Sequence, residues 1–179
     1  ATHSLLNFAR ARAETPLPVS GEVNLNPSTM AYEQLKLENQ LCFPVYAASR
    51  LITREYQPYL EKLGITYPQY LVLMILWEND RLTVTDIARK LILNTNTITP
   101  LLKRMEQTGL IARKRSPEGE RKVMIELTDK GRAMQEEAAR IPEALVNQLI
   151  KGDLKAGELI ELKSRLTALI RLLSANEPD

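Results

Sequence analysis

Two short amphipathic segments joined by a tight turn lie in the middle of the chain, and they constrain its fold more than any other feature. They occur within "LTVTDIARKLILNTNTITPLLKRMEQTGLIARKRS", where Thr83 or Thr85 can cap the first helix and Gly109 can end the second. Two short helices separated by a turn of three or four residues predict a helix-turn-helix unit. The apolar residues expected to face inward are Ile87, Ala88, Leu91, Ile98, Leu101, Leu102 and Met105.

Directly after Gly109 the spacing of apolar residues changes from helical to alternating. "LIARKRS" and "RKVMIELT" have the period of short strands, and "PEGE" between them supplies turn residues. A hairpin that follows the second helix makes the unit a winged helix-turn-helix. The predicted fold class is therefore mainly α with a small β-hairpin: a winged helix-turn-helix domain plus N- and C-terminal dimerisation helices.

The segment before this unit is also helical in pattern. From Leu35 to about Leu63 apolar residues recur at steps of three, four and seven, and Pro44 and Pro58 predict a kinked helix or two shorter ones. Thr66 can cap the next helix, which contains "YLVLMILW". Because that run is apolar on nearly every side, it should form the buried centre of the domain.

From Thr128 onward the pattern is helical again. Gly131 and Pro142 are expected to weaken or bend the first part, and Asp153 begins a last helix. That last helix and the one around Cys42 are too apolar to be free on a surface, so both are expected to pack against a second subunit in a symmetric dimer. Four regions are predicted: a flexible N-terminal arm or fusion remnant (1–33), an N-terminal dimerisation region with the cysteine (34–64), the winged helix-turn-helix domain (65–128) and C-terminal dimerisation helices (129–179).

The composition excludes several classes of protein. Apolar residues make up 44% and charged residues 26% of the chain, and no apolar run approaches the roughly 20 residues of a membrane span. A single cysteine cannot form an internal disulfide and suits a reducing cytoplasm. No cluster has metal-site spacing, and no glycine-rich phosphate loop occurs. We therefore expect a cytoplasmic protein without metal, cofactor, membrane partner or enzymatic activity.

Basic residues are concentrated in and around the predicted winged unit. Between Arg89 and Lys122 nine Lys and Arg face three Glu, and nine minus three gives +6 for a chain whose total is +2. A basic patch of this kind suits a phosphate backbone, and the start of the second helix would meet base edges in the major groove. The residues expected to contact double-stranded DNA are Asn94, Thr95, Asn96, Thr97, Thr99, Lys103, Arg104, Arg113, Arg115, Arg121 and Lys122.

The order and content of these blocks resemble the MarR family of bacterial transcription regulators, and within it the organic-hydroperoxide sensors of the OhrR type. The resemblance covers residues 37 to about 128. It is carried by "LENQLCFPVYAASR", "YQPYLEKLGITYPQYLVLMILWE", "TVTDIARKL", "TITPLLKRMEQTGLIARKRS" and "ERKVMIELTDKG". The first two blocks are specific to the hydroperoxide-sensing branch. The resemblance fades in the last helix and is absent from residues 1–33.

The resemblance implies roles for one cysteine and three tyrosines. Cys42 matches the reactive cysteine of the family, near the start of the first helix. Tyr56 and Tyr67 match two tyrosines that hydrogen-bond its thiolate across the dimer interface, and Tyr46 matches another tyrosine nearby. A free cysteine, with a pKa of about 8.5, is mostly protonated at neutral pH, and phenolic donors favour the reactive thiolate.

Two residues depart from the family pattern. Pro44 stands two residues after the cysteine, where an ordinary helix former is expected, and so predicts a kink at the thiol. In the wing, Gly119 occupies a position that is often Asp in the family. The carboxylate that would orient Arg121 is then missing, unless Glu118 or Glu120 takes its place.

The mechanism implied by the resemblance is a redox switch. The reduced homodimer binds a pseudo-palindromic operator and represses a peroxide-detoxifying gene. An organic hydroperoxide oxidises Cys42 to sulfenic acid, which then reacts with a small cellular thiol or a backbone nitrogen. The two recognition helices lose the spacing that one turn of DNA requires, and repression ends.

Three other interpretations remain open at this point. One is a MarR-type repressor induced by a small aromatic ligand, with Cys42 only lining the pocket. Another is a one-cysteine thiol peroxidase, which leaves the winged unit unexplained. The third is a winged-helix module for protein contacts, against which the basic segment argues.

Overall fold

The computed structural model of the protein describes residues 32–115, 123–150 and 155–175, and the chain divides into two units between Phe43 and Pro44. In the first unit, residues 32–43 contain two 3-10 turns, Glu33–Leu35 and Leu37–Asn39. The side-chain amide of Gln40 donates to backbone carbonyls in these turns. The helical spacing that begins at Leu35 therefore corresponds to 3-10 turns at first.

Helix α1 (Cys42–Lys62) is one continuous helix of 21 residues. Of the two predicted alternatives, a kinked helix or two shorter helices, the second is therefore wrong. Pro44 lies in the first turn, where a backbone N–H has no acceptor within the helix, and it therefore costs nothing in hydrogen bonding. Pro58 lies inside the helix and removes the bond to the carbonyl four residues earlier, yet the helix continues past it. Gly64, with φ of 67°, then turns the chain into the next element.

Helix α2 (Tyr67–Glu78) is the buried centre of the second unit, as predicted. The side chain of Gln69 accepts a 2.8 Å hydrogen bond from the backbone N–H of Thr66, which precedes the helix. Pro68 lies in the first turn, where it is tolerated. Val72, Leu73 and Leu76 are at most 1% exposed.

The helix-turn-helix follows, formed by α3 (Val84–Lys90) and α4 (Thr95–Gln107). Of the two threonines expected as caps, Thr83 is the one that caps α3: its hydroxyl accepts a 3.1 Å bond from the backbone N–H of Asp86. Gly109, with φ of 73°, ends α4 as predicted. The residues buried between these helices and α2 are Ile87, Ala88, Ile98, Leu102 and Met105.

The wing is part of a three-stranded antiparallel sheet rather than a hairpin alone. Strands β2 (Ile111–Arg115) and β3 (Val123–Leu127) pair with Ile111 opposite Leu127. A two-residue strand β1 (Leu82–Thr83) pairs on the other side of β3, which gives the order β1-β3-β2. The third strand was missed because two residues are too short to show an alternating pattern.

Three helices complete the described chain: α5 (Asp129–Ala138), α6 (Ile141–Ile150) and α7 (Ala156–Ser174). The bend expected at Gly131 is wrong, because this glycine lies in the first turn of α5 and is buried. The chain instead breaks just before Pro142, which occupies the first turn of α6. The predicted start of the last helix at Asp153 lies outside the described residues.

The first and last helices carry exposed apolar side chains. In α1, Leu51 is 49% exposed, and in α7, Ile160 is 70% and Leu173 59% exposed. The apolar side chains of these two helices are therefore not covered by the rest of the described chain. Within the described ranges no helix is long and apolar enough to cross a membrane.

Candidate functional site

The start of α4 presents a row of short polar side chains to solvent. Asn94 precedes the helix, and Thr95, Asn96 and Thr97 occupy its first turn, all exposed. Thr99 is half-buried, and its hydroxyl donates a 2.6 Å bond to the carbonyl of Thr95. The row can therefore donate to and accept from groups that approach the end of this helix.

Cationic side chains lie on the same helix and on the strand that follows it. Lys103 and Arg104 are exposed in the middle and last turns of α4, and Arg115 is exposed at the end of β2. Their exposure fits contact with phosphates. Arg121 and Lys122, also predicted to contact DNA, lie outside the described residues, as do Gly119 and its two neighbouring glutamates.

Arg113 differs from the other predicted DNA-contacting residues because its side chain is only 20% exposed. One guanidinium nitrogen lies 3.5 Å from the carboxylate of Glu106 on α4, which joins the recognition helix to the wing. The Nε atom of Arg113 is buried and has no hydrogen-bond partner among the described residues. The residue borders an open cavity of about 480 Å³, also lined by Thr85, Arg89 and Thr99.

A cluster of tyrosines joins the end of α1 to the start of α2. The ring centroids of Tyr56 and Tyr67, predicted to act together, are 5.1 Å apart. Tyr70 completes the cluster, with centroids 5.8 Å from Tyr56 and 6.4 Å from Tyr67. Tyr56 and Tyr67, on two successive helices, are thus brought into ring contact by the turn at Gly64.

Burial controls the ionisation of these phenols. It raises the pKa of Tyr56 and of Tyr67, and at Tyr56 the neighbouring phenol of Tyr67 raises it further. Burial, together with both neighbouring phenols, raises the pKa of Tyr70 to about 12. All three hydroxyls therefore stay protonated at neutral pH, and a protonated phenol can donate a hydrogen bond to an anion.

The cysteine and the third predicted tyrosine are exposed. Cys42 is the first residue of α1, and its thiol is free and accessible. Tyr46 is 59% exposed, and the guanidinium of Arg50 lies 5.7 Å from the centroid of its ring. The structure thus brings Tyr56 and Tyr67 together, whereas Tyr46 is exposed and lies beside the guanidinium of Arg50.

Sequence reasoning missed Tyr70 as a member of the cluster. Its position three residues after Tyr67, on the same face of a helix, was a signal for it. This signal was overlooked because Tyr70 is also the first residue of an apolar run, and it was interpreted as part of the buried face of the helix. Tyr70 is only 2% exposed and also contacts Trp77, with ring centroids 6.2 Å apart.

A second cavity, of about 690 Å³, opens beside the tyrosine cluster. Its walls are one face of α1 and the turn before α2, and it contains both cations and hydroxyls. Among the described residues no group of three His, Cys, Asp or Glu could hold a metal ion. The polar residues that line this cavity include Arg50, Thr53, Arg54, Gln57 and Tyr67.

Comparisons with known proteins agree with these features. The family model described as "Transcriptional regulator SarA/Rot" matches residues 54–138. The organic hydroperoxide resistance transcriptional regulator of Bacillus subtilis (strain 168) is 51% identical over 143 residues, which is 79% of this chain and 95% of that protein.

Among solved structures, reduced AbfR bound to DNA is 40% identical and superimposes with a TM-score of 0.66, over 82% of this chain and 98% of its own. A cysteine-to-serine mutant of MarR from E. coli, complexed with operator DNA, is 25% identical with a TM-score of 0.67, over 72% and 92%. These relatives are transcription regulators rather than enzymes. The chain belongs to the MarR family of transcription regulators, in its OhrR-like branch.

Proposed function

We propose that this protein is a dimeric DNA-binding repressor that senses organic hydroperoxides through oxidation of Cys42 and then releases its operator. The observation that carries the proposal is the contact between Tyr56 and Tyr67, at 5.1 Å between ring centroids. Both phenols are protonated at neutral pH, as a tyrosine with an ordinary pKa also is, and burial raises their pKa further, so both can donate to a thiolate. The name of the B. subtilis relative, an organic hydroperoxide resistance regulator, agrees with this chemistry.

The dimer brings the cysteine to the tyrosine pair. The exposed apolar residues of α1 and α7 need a partner surface, and a second copy of the same chain supplies one with matching shape in a two-fold arrangement. In this arrangement Cys42 of one protomer lies near Tyr56 and Tyr67 of its partner. Residues 34–64 and 129–179 then serve dimerisation, and residues 65–128 bind DNA.

DNA binding uses the exposed row at the start of α4. Asn94, Thr95, Asn96 and Thr97 face base edges in the major groove, while cationic side chains one or more turns later neutralise phosphates. Because a two-fold dimer places two copies of α4 about one helical turn of DNA apart, the operator is pseudo-palindromic. The similarity of this chain to AbfR and to MarR, both solved in complex with DNA, supports this mode.

Oxidation proceeds in two steps, first to a sulfenic acid and then to a mixed disulfide with a small thiol. The Cys42 thiolate attacks the terminal oxygen of the hydroperoxide; an S–O bond forms and the O–O bond breaks. Sulfur loses two electrons, and the alkoxide takes a proton and leaves as an alcohol. A small cellular thiol then attacks the sulfenic sulfur; an S–S bond forms and the oxygen leaves as water. The chain has no second cysteine to perform this step within one protomer.

A second candidate function rests on the cavity of about 690 Å³ beside the tyrosines. Its volume is in the range of small-molecule sites, and Arg50 and Arg54 could hold an anionic aromatic ligand. In that case ligand binding, rather than oxidation, would release DNA. Release by a phenolic acid from a Cys42→Ser protein would favour this alternative.

The experiment that tests the proposal measures the rate of Cys42 oxidation by cumene hydroperoxide at pH 7, with mass spectrometry of the product. Tyr56→Phe and Tyr67→Phe each remove one donor to the thiolate, and we expect each to slow the reaction at pH 7 by about tenfold. Tyr59→Phe, a half-buried tyrosine of the same helix, is the matched control. Equal rates in all four proteins would contradict the role of the pair.

A further inference from the structure

Helix α2 connects the tyrosine cluster at its start with a buried contact at its end. Tyr67, Tyr70 and Trp77 lie along one face of the helix. The ring of Tyr70 meets that of Trp77 nearly edge-on, with an interplanar angle of 67° and centroids 6.2 Å apart. The tyrosine cluster and Trp77 thus form one continuous row of aromatic rings.

The indole of Trp77 is fixed to a distant part of the chain. Its Nε1–H donates a 2.9 Å hydrogen bond to the carbonyl of Gly131, 54 residues later, in the first turn of α5. This contact is partly buried. The indole N–H is the only hydrogen-bond donor of a tryptophan side chain. In Trp77 it binds a backbone carbonyl instead of water.

Gly131 in turn packs directly against the backbone of Leu110, in the turn that connects α4 to β2. A Cβ atom at this position would lie 2.2 Å from the carbonyl oxygen of Leu110, so the two backbones meet with no side chain between them. The backbone N–H of Leu110 donates a 2.9 Å hydrogen bond to the carbonyl of Met105, in the last turn of α4. The hydroxyl of Thr128, which precedes α5, donates a 2.6 Å bond to the carbonyl of Gly109. The start of α5 and the end of α4 are therefore bound together.

We infer that Trp77 is a positioning residue that transmits the state of the tyrosine cluster to the recognition helix, through Gly131 and Leu110. The inference rests on the proposed function, since it concerns how oxidation of Cys42 reaches α4. A displacement of the cluster shifts the ring of Trp77, because Tyr70 is only 2% exposed and its ring packs against the other two rings of the cluster and against Trp77. The hydrogen bond to Gly131 carries the shift to α5, and the bare backbone contact passes it to Leu110. Loss of the indole N–H breaks this connection at one bond.

The test uses full-length Trp77→Phe, which keeps an aromatic ring beside Tyr70 and removes the donor to Gly131. Cumene hydroperoxide and cysteine are added, oxidation of Cys42 is quantified by mass spectrometry, and operator affinity is measured by fluorescence anisotropy before and after. We expect normal oxidation and near-normal affinity of the reduced variant. The weakening of DNA binding on oxidation should be about tenfold smaller than in wild type, within the usual range of coupling between sites. Met74→Leu, on the exposed side of the same helix, is the control and should behave as wild type.

The outcomes separate the inference from the proposed function. If wild type is released and Trp77→Phe is released by the same factor, the inference is overturned and the proposed function stands. If wild type stays on DNA after Cys42 is oxidised, the proposed function fails and the inference with it. Should Trp77→Phe not fold, wild-type fluorescence decides, since Trp77 is the only tryptophan in the chain. A change in emission on oxidation that Cys42→Ser lacks supports the inference, and unchanged emission overturns it.

Discussion

The guanidinium of Arg132 donates a 2.6 Å hydrogen bond to the carboxylate of Asp80 and thereby joins α5 to the chain directly after α2. The same carboxylate accepts 2.9 Å bonds from the backbone N–H groups of Leu127 and Arg81. Arg132 also donates to the carbonyl of Leu127, at 3.1 Å. One carboxylate thus holds together the end of the wing, the start of α5 and the turn before β1.

This arrangement predicts that Asp80→Asn destabilises the fold. Burial alone would raise the pKa of Asp80, but hydrogen bonds from Leu127, Arg132 and Arg81 outweigh burial and lower it. A lowered pKa in the folded state means that the stabilisation is present above about pH 4 and is lost as the pH falls further. We expect Asp80→Asn to lose about 2 kcal/mol at pH 7 in urea denaturation, and to lose less than wild type between about pH 4 and pH 3. Glu78→Gln, an exposed neighbour, is the control, and equal stability of the two variants would contradict this account.

Alkaline stability depends on Tyr70. Its pKa, raised to about 12 by burial and the neighbouring phenols, exceeds that of an unfolded tyrosine, about 10. The unfolded chain therefore loses this proton first, so stability is complete below about pH 10 and declines as the pH rises toward 12. Tyr70→Phe removes the titrating group, and its free energy of unfolding should fall less steeply than that of wild type over this interval. Parallel curves of stability against pH would show that Tyr70 does not contribute.

The turn between α3 and α4 contains a strained residue. Ile92 has φ of 55°, a left-handed conformation that a β-branched residue rarely adopts, and its side chain is 56% exposed. Glycine takes this conformation without strain, and little apolar contact is lost with an exposed side chain. We expect Ile92→Gly to stabilise the protein by about 1 kcal/mol in urea denaturation. Leu93→Gly, at the next position of the same turn, should instead destabilise it, and a loss of stability in both variants would refute the strain.

The cationic face of α4 should set the salt dependence of DNA binding. In the proposed dimer, Lys103 of each protomer contacts one phosphate, so Lys103→Ala would remove two phosphate contacts in all. The slope of log affinity against log salt should fall by about 1.8, and the loss should be similar on operator and unrelated DNA. Lys163→Ala, on exposed α7, should leave the slope unchanged. A change of operator preference without a change of slope would place Lys103 at the bases instead.

The helices and strands that depend on the local periodicity of apolar residues, and on residues that begin or end a helix, could be predicted from the sequence. Glycine at 109 and threonine at 83 mark the ends of the helix-turn-helix, and the apolar run after Pro68 gives the buried helix. Proline was misleading at position 58, because the helix continues through Pro58 as one element of 21 residues although one backbone hydrogen bond is missing there. Pro44 does not remove a helical hydrogen bond, because it lies in the first turn of the helix.

The parts that could not be predicted from the sequence depend on contacts between distant segments. The spacing of residues contains no sign that the indole of Trp77 meets the carbonyl of Gly131, or that this glycine rests on Leu110. For the same reason the sequence suggests a bend at Gly131, although its lack of a side chain serves close packing. The pairing of Tyr56 with Tyr67 is expected only from the family resemblance, and their rings lie in contact.

The most direct test of the central claim is fluorescence anisotropy on the palindrome upstream of the protein's own gene. Stoichiometric cumene hydroperoxide is added with a small thiol present, then dithiothreitol, for wild type and for Cys42→Ser. Wild type should leave the DNA on oxidation and return on reduction, while the serine variant stays bound throughout. If wild type remains bound, or the serine variant is released equally, Cys42 is not the switch.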